Sequence, residues 1–180
     1  MGTGKTAVGR EMAKKKKWRF MDLDDLIELR EKRRIADIFA QEGEPYFRKI
    51  EKLVLREVAK EKNFVVACGG GIVIDPENIK VMQATGKVIC LSATPEVILQ
   101  RTQGAAHRPL LNVADQKRQI ELLLKLRAPF YAQADKTIDT SKISVQEAVT
   151  KVLICTRCKS KAAPGAKPIG QLYPKPKAKK

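Results

Sequence analysis

Apolar residues in this chain recur in two alternating rhythms. Val8 and Met12 stand four apart in a segment that reads as a helix over 6–16, the spacing of one helical face. Trp18-Arg19-Phe20-Met21 then reads as a short strand running into Asp22-Leu23-Asp24, with a helix over 25–33 after it. Ile35 to Phe39 predicts a short helix and Glu42-Gly43-Glu44-Pro45 a break. Phe47, Ile50, Val54 and Val58 then predict a longer helix over 45–62. Asn63 to Cys68 and Lys87 to Leu91 are apolar, β-branched runs, the pattern of buried parallel strands. Asp75-Pro76-Glu77 and Thr94-Pro95-Glu96 open helices with proline in the first turn. Asp115 to Arg127 is helical and is expected to stop at Ala128-Pro129-Phe130-Tyr131. Thr137-Ile138 suggests a last strand, and Ser144-x-x-Glu147 is a capping box opening a helix to about Ile154. The alternation predicts an α/β domain, a parallel sheet with helices on both faces.

Chemistry enters at the start of the chain. Gly4-Lys5-Thr6 reads as the end of a phosphate-binding loop, in which backbone N–H groups from Gly2 to Thr6 curl around phosphate oxygens. The Lys5 ammonium would reach the β/γ-phosphates and the Thr6 hydroxyl would ligate Mg²⁺. Asp22 and Asp24 stand two apart at what reads as a strand's carboxyl end, where ligands collect in open α/β sheets. Without the loop before them, the simpler reading is a cap for the next helix. Arg48 and Glu51 share one side of their helix, as an ordinary surface ion pair would. Gly69-Gly70-Gly71 follows a buried strand, so backbone can approach a ligand there. The segment from Thr102 to Leu111 is small and polar, with Arg108-Pro109 in it, and suits a lid carrying an arginine over phosphates. His107 lies within it and is given no catalytic role.

Charge divides the chain. Of 36 basic and 20 acidic residues in 180, the stretch from Lys151 to Lys180 carries nine basic and no acidic ones. The folded part is therefore only moderately basic, which favours anionic small molecules, and residues 155–180 read as a basic, disordered tail. That tail has one aromatic, Tyr173, poor equipment for stacking on nucleic acid bases. Cys68 and Cys90 end apolar runs and are expected to be buried thiols. Cys155-x-x-Cys158 has metal-ligand spacing, but a zinc site needs about four ligands, and the pair reads as plain exposed thiols. No run approaches the ~20 apolar residues of a membrane span, and the polar start is no secretory signal. A cytoplasmic location is expected.

Six short motifs together resemble shikimate kinase. They are Asp22-Leu23-Asp24, Ile35-Ala36-Asp37-Ile38-Phe39, Phe47-Arg48-x-x-Glu51, Gly69-Gly70-Gly71, Arg108-Pro109-Leu110-Leu111 and Leu126-Arg127-x-Pro129-x-Tyr131, in order and in register. The resemblance covers 1–154 and implies a three-layer P-loop kinase fold, with a substrate-binding segment at about 25–62 and a lid at about 102–115. It implies transfer of the γ-phosphoryl of ATP to the 3-hydroxyl of shikimate, in aromatic amino-acid biosynthesis. Gly2, Thr3, Gly4, Lys5, Thr6, Arg101 and Arg108 would bind ATP, Arg101 by stacking on adenine. Thr6 and Asp22 would place Mg²⁺. Asp24 would orient and deprotonate the shikimate hydroxyl, with Lys5 and Arg108 stabilising the transferring group. Arg48, Gly70, Gly71 and Arg127 would complete the shikimate site, Glu51 holding Arg48 in place. A monomer is expected.

Two departures from the family pattern bear on this reading. The loop's first glycine and the central strand that feeds it would lie upstream of Met1, so Met1 is expected to be an internal methionine of a longer protein. The basic tail with Cys155 and Cys158 is unexplained by the family. The alternatives are a non-catalytic ATP- or ligand-binding remnant, or a related small-molecule kinase such as a gluconate kinase.

Overall fold

The computed structural model describes residues 2–103 and 115–156. Its elements run α1 Lys5–Lys16, β1 Arg19–Asp22, α2 Leu23–Glu31, α3 Ile35–Val58, β2 Phe64–Ala67, a 3₁₀ turn Ile72–Ile74, α4 Pro76–Thr85, β3 Ile89–Ser92, α5 Pro95–Thr102, α6 Gln116–Tyr131, β4 Lys136–Asp139 and α7 Val145–Cys155. The alternation read from the sequence is therefore present, and the strands that pair are parallel.

The layers follow from strand alternation, which sends successive side chains to opposite faces. On one face Met21 and Val66 pack with Leu23, Ile27, Ile38, Phe47, Ile50 and Val54 of α2 and α3. On the other, Val65, Ile89 and Leu91 pack with Val8 and Met12 of α1 and Val149 and Val152 of α7. Ile98 and Ile120 hold α5 against α6 in a third cluster. This is the three-layer arrangement expected.

The sheet itself is in two parts. β1 pairs with β2 and β3 with β4, and no described strand bridges β2 and β3. β3 and most of β2 are only partly buried, where the apolar runs predicted full burial. Cys68 and Cys90 are likewise half-buried rather than buried.

Local chemistry explains most element ends and three differences from expectation. Asp75, Thr94, Asp115 and Ser144 each cap a helix through the side chain, and Ser144 with Glu147 forms the reciprocal capping box. First, α2 starts at Leu23, so Asp24 lies in a helix's first turn and not on a strand end. Second, the break at 42–45 is present, Gly43 taking φ 79°, ψ 174°, a non-helical conformation few other residues adopt, and it divides α3 into two helical segments, but the second ends at Val58 and not at 62. Third, α6 does not stop at Pro129 but continues to Tyr131. Proline there forgoes one backbone hydrogen bond near the helix end. That extension sets Arg127 and Tyr131 four apart on one helical face.

Candidate active site

The loop between the chain start and α1 is built on two glycines with positive φ, Gly2 at 59° and Gly4 at 85°. Gly4 caps α1 with no side-chain hydrogen bond, and the first turn has no acidic residue. Backbone N–H groups at a helix start of this kind favour an anion, and Lys5 and Thr6 open that helix. A side chain at Gly2 would meet Thr102 Cγ2 at 3.0 Å and the Ile98 carbonyl at 3.1 Å, so the loop lies tight against α5.

Thr140, at the end of β4, ties that loop down. Its buried hydroxyl bonds the carbonyls of Thr3 (3.1 Å) and Ser92 (3.0 Å) and accepts from Arg101 Nη1 at 3.1 Å. Arg101 also donates to the carbonyls of Thr140 (2.8 Å) and Gly2 (3.4 Å). Arg101, expected as a stacking platform, is in this structure a strap across the loop. Nothing in the local sequence singles out Thr140. A threonine after Asp139 is unremarkable until the ends of β3 and β4 lie side by side.

Asp22 joins the loop to the second carboxylate. Thr6 Oγ1 donates to Asp22 Oδ2 at 2.8 Å, and Asp22 Oδ1 accepts from the Asp24 backbone N–H at 3.2 Å. The capping reading and the ligand reading of Asp22 are therefore compatible, since one oxygen caps α2 while the other faces Thr6. A hydroxyl and a carboxylate side by side form an oxygen donor set of the kind a hard divalent cation takes.

The remaining residues converge around the three glycines. Glu51 is 1% exposed, far from the surface pair its spacing suggested. Its Oε2 accepts from Arg48 Nη1 at 2.6 Å, while its buried Oε1 has no hydrogen-bond partner among the described residues. Oε1 and Asp24 Oδ1 would stand 3.2 and 3.4 Å from a side chain at Gly69, so the two carboxylates approach the same glycine. Burial pushes the Glu51 carboxyl up to about 7, against the pull of Arg48 and with a smaller push from Asp24. The other edge of Arg48 is taken by Glu44 Oε1, which accepts from Nε (3.0 Å) and Nη2 (2.8 Å). The guanidinium lies directly on Gly71, where a methyl would come within 2.3 Å of Nη2.

Arg127 reaches this cluster from α6, 6% exposed, and its charge acts on both Glu51 and Tyr131. The Tyr131 hydroxyl donates to the Gly70 carbonyl at 2.8 Å. Cys68 packs against the core beside the glycine loop, its thiol pushed up to about 12 by burial and then by Glu51 and the aspartates. Of the expected residues, Gly2, Thr3, Gly4, Lys5 and Thr6 form the loop and helix start that Arg101 ties down, Thr6 joins Asp22 and Asp24, and Arg48, Gly70, Gly71 and Arg127 gather at the glycine loop. Arg108 and the rest of the expected lid over 104–114 lie outside the described residues, as do Cys158 and the tail from 157 on. Glu44 was legible as a helical neighbour of Arg48 and was missed.

Comparison with known proteins decides the family. The shikimate kinase family model matches residues 1–157. The chain belongs to the shikimate kinase family. The shikimate kinase of Thermoanaerobacter pseudethanolicus is 43% identical over 153 residues, 85% of this chain and 90% of the relative. Among solved structures, shikimate kinase from Acinetobacter baumannii in complex with shikimate superposes with a TM-score of 0.84 at 36% identity, covering 88% of this chain and 91% of that one. Shikimate kinase from Bacteroides thetaiotaomicron does so at 0.77 and 32% identity, covering 86% and 92%. Membership makes the protein an ATP-dependent kinase with the P-loop kinase fold.

Proposed function

We propose that this kinase transfers the γ-phosphoryl of ATP to the 3-hydroxyl of shikimate, giving shikimate 3-phosphate and ADP. The observation that carries this reading is the meeting of Arg48, Arg127 and Asp24 at the glycine loop. An acceptor with a carboxylate and a ring hydroxyl suits two arginines and one carboxylate, because paired guanidinium groups fix a carboxylate directionally. The same feature favours turnover over a ligand-binding remnant, since a binding module has no need of a carboxylate beside the acceptor hydroxyl.

In this reading the molecule has an acceptor side and a nucleotide side. On the acceptor side Arg48 and Arg127 bind the shikimate carboxylate, with Gly70 and Gly71 supplying backbone contacts. Asp24 orients the reacting hydroxyl and takes its proton. On the nucleotide side Gly2, Thr3, Gly4 and Lys5 hold the phosphates, Arg101 contacts adenine, and Arg108 neutralises charge on the transferring group. Thr6 and Asp22 fit Mg²⁺, which when bound neutralises phosphate oxygens. Phosphoryl transfer needs positioning and charge neutralisation above all, and these residues supply both. Among the described residues no helix is long and apolar enough to cross a membrane, and we place the enzyme in the cytoplasm as a monomer.

The test is ADP release from Mg-ATP with shikimate, and with gluconate as the competing acceptor. Release that requires shikimate and is absent with gluconate is expected. Release with gluconate alone would move the protein to another small-molecule kinase activity. ATP binding without release in the presence of either acceptor would favour the remnant.

A further inference from the structure

Tyr131 is used by no step above, yet it sits between two parts of the acceptor side. Its ring stands on α6 one turn beyond Arg127, a placement that exists only because α6 continues through Pro129. Its hydroxyl donates its one hydrogen to the Gly70 carbonyl at 2.8 Å, and the Arg127 guanidinium stands close enough for its charge to act on that hydroxyl. The glycine loop gains little rigidity from its own sequence, since Gly69, Gly70 and Gly71 have no side chains to pack. Its local backbone bonds are Ile72 N–H to Gly69 O at 3.3 Å, which is long, and Ile74 N–H to Gly71 O at 3.1 Å. Arg127 in turn needs a partner that fixes its plane without neutralising it. A neutral phenol does this.

We propose that Tyr131 is a positioning residue, whose hydroxyl locks the Gly70 carbonyl and the Arg127 guanidinium into one arrangement before the acceptor carboxylate arrives. The proposal rests on the acceptor assignment above and deepens it. Arg48 is held by Glu44 and Glu51, two carboxylates on its own helix; Arg127 is held by a neutral group tied to a loop. Losing the hydroxyl frees Arg127 and the loop together, so the acceptor side alone is affected.

The test uses the full chain and three variants, Tyr131→Phe, Arg127→Ala and the two combined. Kinetics are measured with shikimate varied at saturating Mg-ATP, and with ATP varied. Tyr131→Phe is expected to raise KM for shikimate by about tenfold while leaving kcat and KM for ATP unchanged. In the double variant the rise in KM should be clearly smaller than the product of the two single effects, because part of the Tyr131 effect acts through Arg127 and only the loop part remains. An unchanged KM in Tyr131→Phe, an equal rise in KM for ATP, or a full penalty added on top of Arg127→Ala would overturn the proposal. Amide hydrogen exchange at Ile72 and Ile74 gives a readout independent of turnover. If the unaltered protein shows no shikimate-dependent ADP release, the functional reading fails. Faster exchange at those amides in Tyr131→Phe then still sustains the lock, and unchanged exchange overturns it.

Discussion

Arg48 and Thr140 hold the two sides of the site by opposite means. Arg48 is fixed by charge: two carboxylates grip it, one of them 1% exposed, and its guanidinium lies on a glycine that leaves no room for a methyl. Thr140 fixes the phosphate loop by hydroxyl-to-carbonyl bonds, with no carboxylate involved. Buried charges cost free energy that must be recovered through close partners, so the acceptor side is committed to one geometry. The nucleotide side is backbone laid over glycines, with its exposed helix end ready for phosphate. The difference suits the ligands. A small acceptor must be aimed to a fraction of an ångström, whereas phosphates are gripped by many N–H groups at once.

This contrast is broken most severely at Asp24. Asp24→Asn keeps the shape and removes the proposed base, so kcat should fall by about 10²- to 10³-fold with KM for ATP unchanged. Steady-state kinetics decide it, and unchanged turnover would remove Asp24 from the mechanism.

Glu51 sharpens the contrast through pH. Its carboxyl is raised from 4.5 to about 7 by burial. Between those values the folded protein keeps a proton that the unfolded chain has released. Stability should therefore be fullest below about pH 4.5 and fall as pH rises through 7, by on the order of 3 kcal/mol from this group at most. Glu51→Gln should flatten that slope in denaturant unfolding measured across this window. An unaltered slope would mean Glu51 is ionised throughout and the acceptor side is held by a simple ion pair.

Gly71→Ala tests the fit of Arg48. Gly71 has φ −91°, ψ −12°, which alanine adopts without strain, so the cost falls on the guanidinium that must move. KM for shikimate should rise by about 10- to 30-fold, with thermal stability nearly unchanged. A protein that melts early with normal KM would show the glycine serves folding alone. Thr140→Val is the mirror experiment on the nucleotide side. Removing the hydroxyl leaves the Thr3 carbonyl short of a partner, and KM for ATP should rise by about 5- to 10-fold with KM for shikimate unchanged. Equal effects on both substrates would erase the distinction between the sides.

Much of this was legible in the sequence because its signals are local. Gly4-Lys5-Thr6, the Ser144–Glu147 box and the periodicity of α3 each lie within a few residues. Arg48 and Glu51 were legible as neighbours, but not the burial of Glu51, which depends on where β2 and the glycine loop fold over α3. Tyr131 was quoted in a motif without a role because Pro129 signalled a helix end, and the helix's tertiary packing overrode that signal. Thr140 carries no local signal at all. Its partners Thr3, Ser92 and Arg101 come from three other segments, and only the parallel pairing of β3 with β4 sets it beside them.

The central claim is that the acceptor side is assembled before any ligand binds. Calorimetric titration of shikimate into the full chain without nucleotide tests it most directly. The account predicts saturable binding at one site per chain, abolished in Arg127→Ala and weakened in Gly71→Ala. Binding that appears only after ATP or an unreactive analogue is added would contradict it, and would show that the nucleotide side builds the acceptor side.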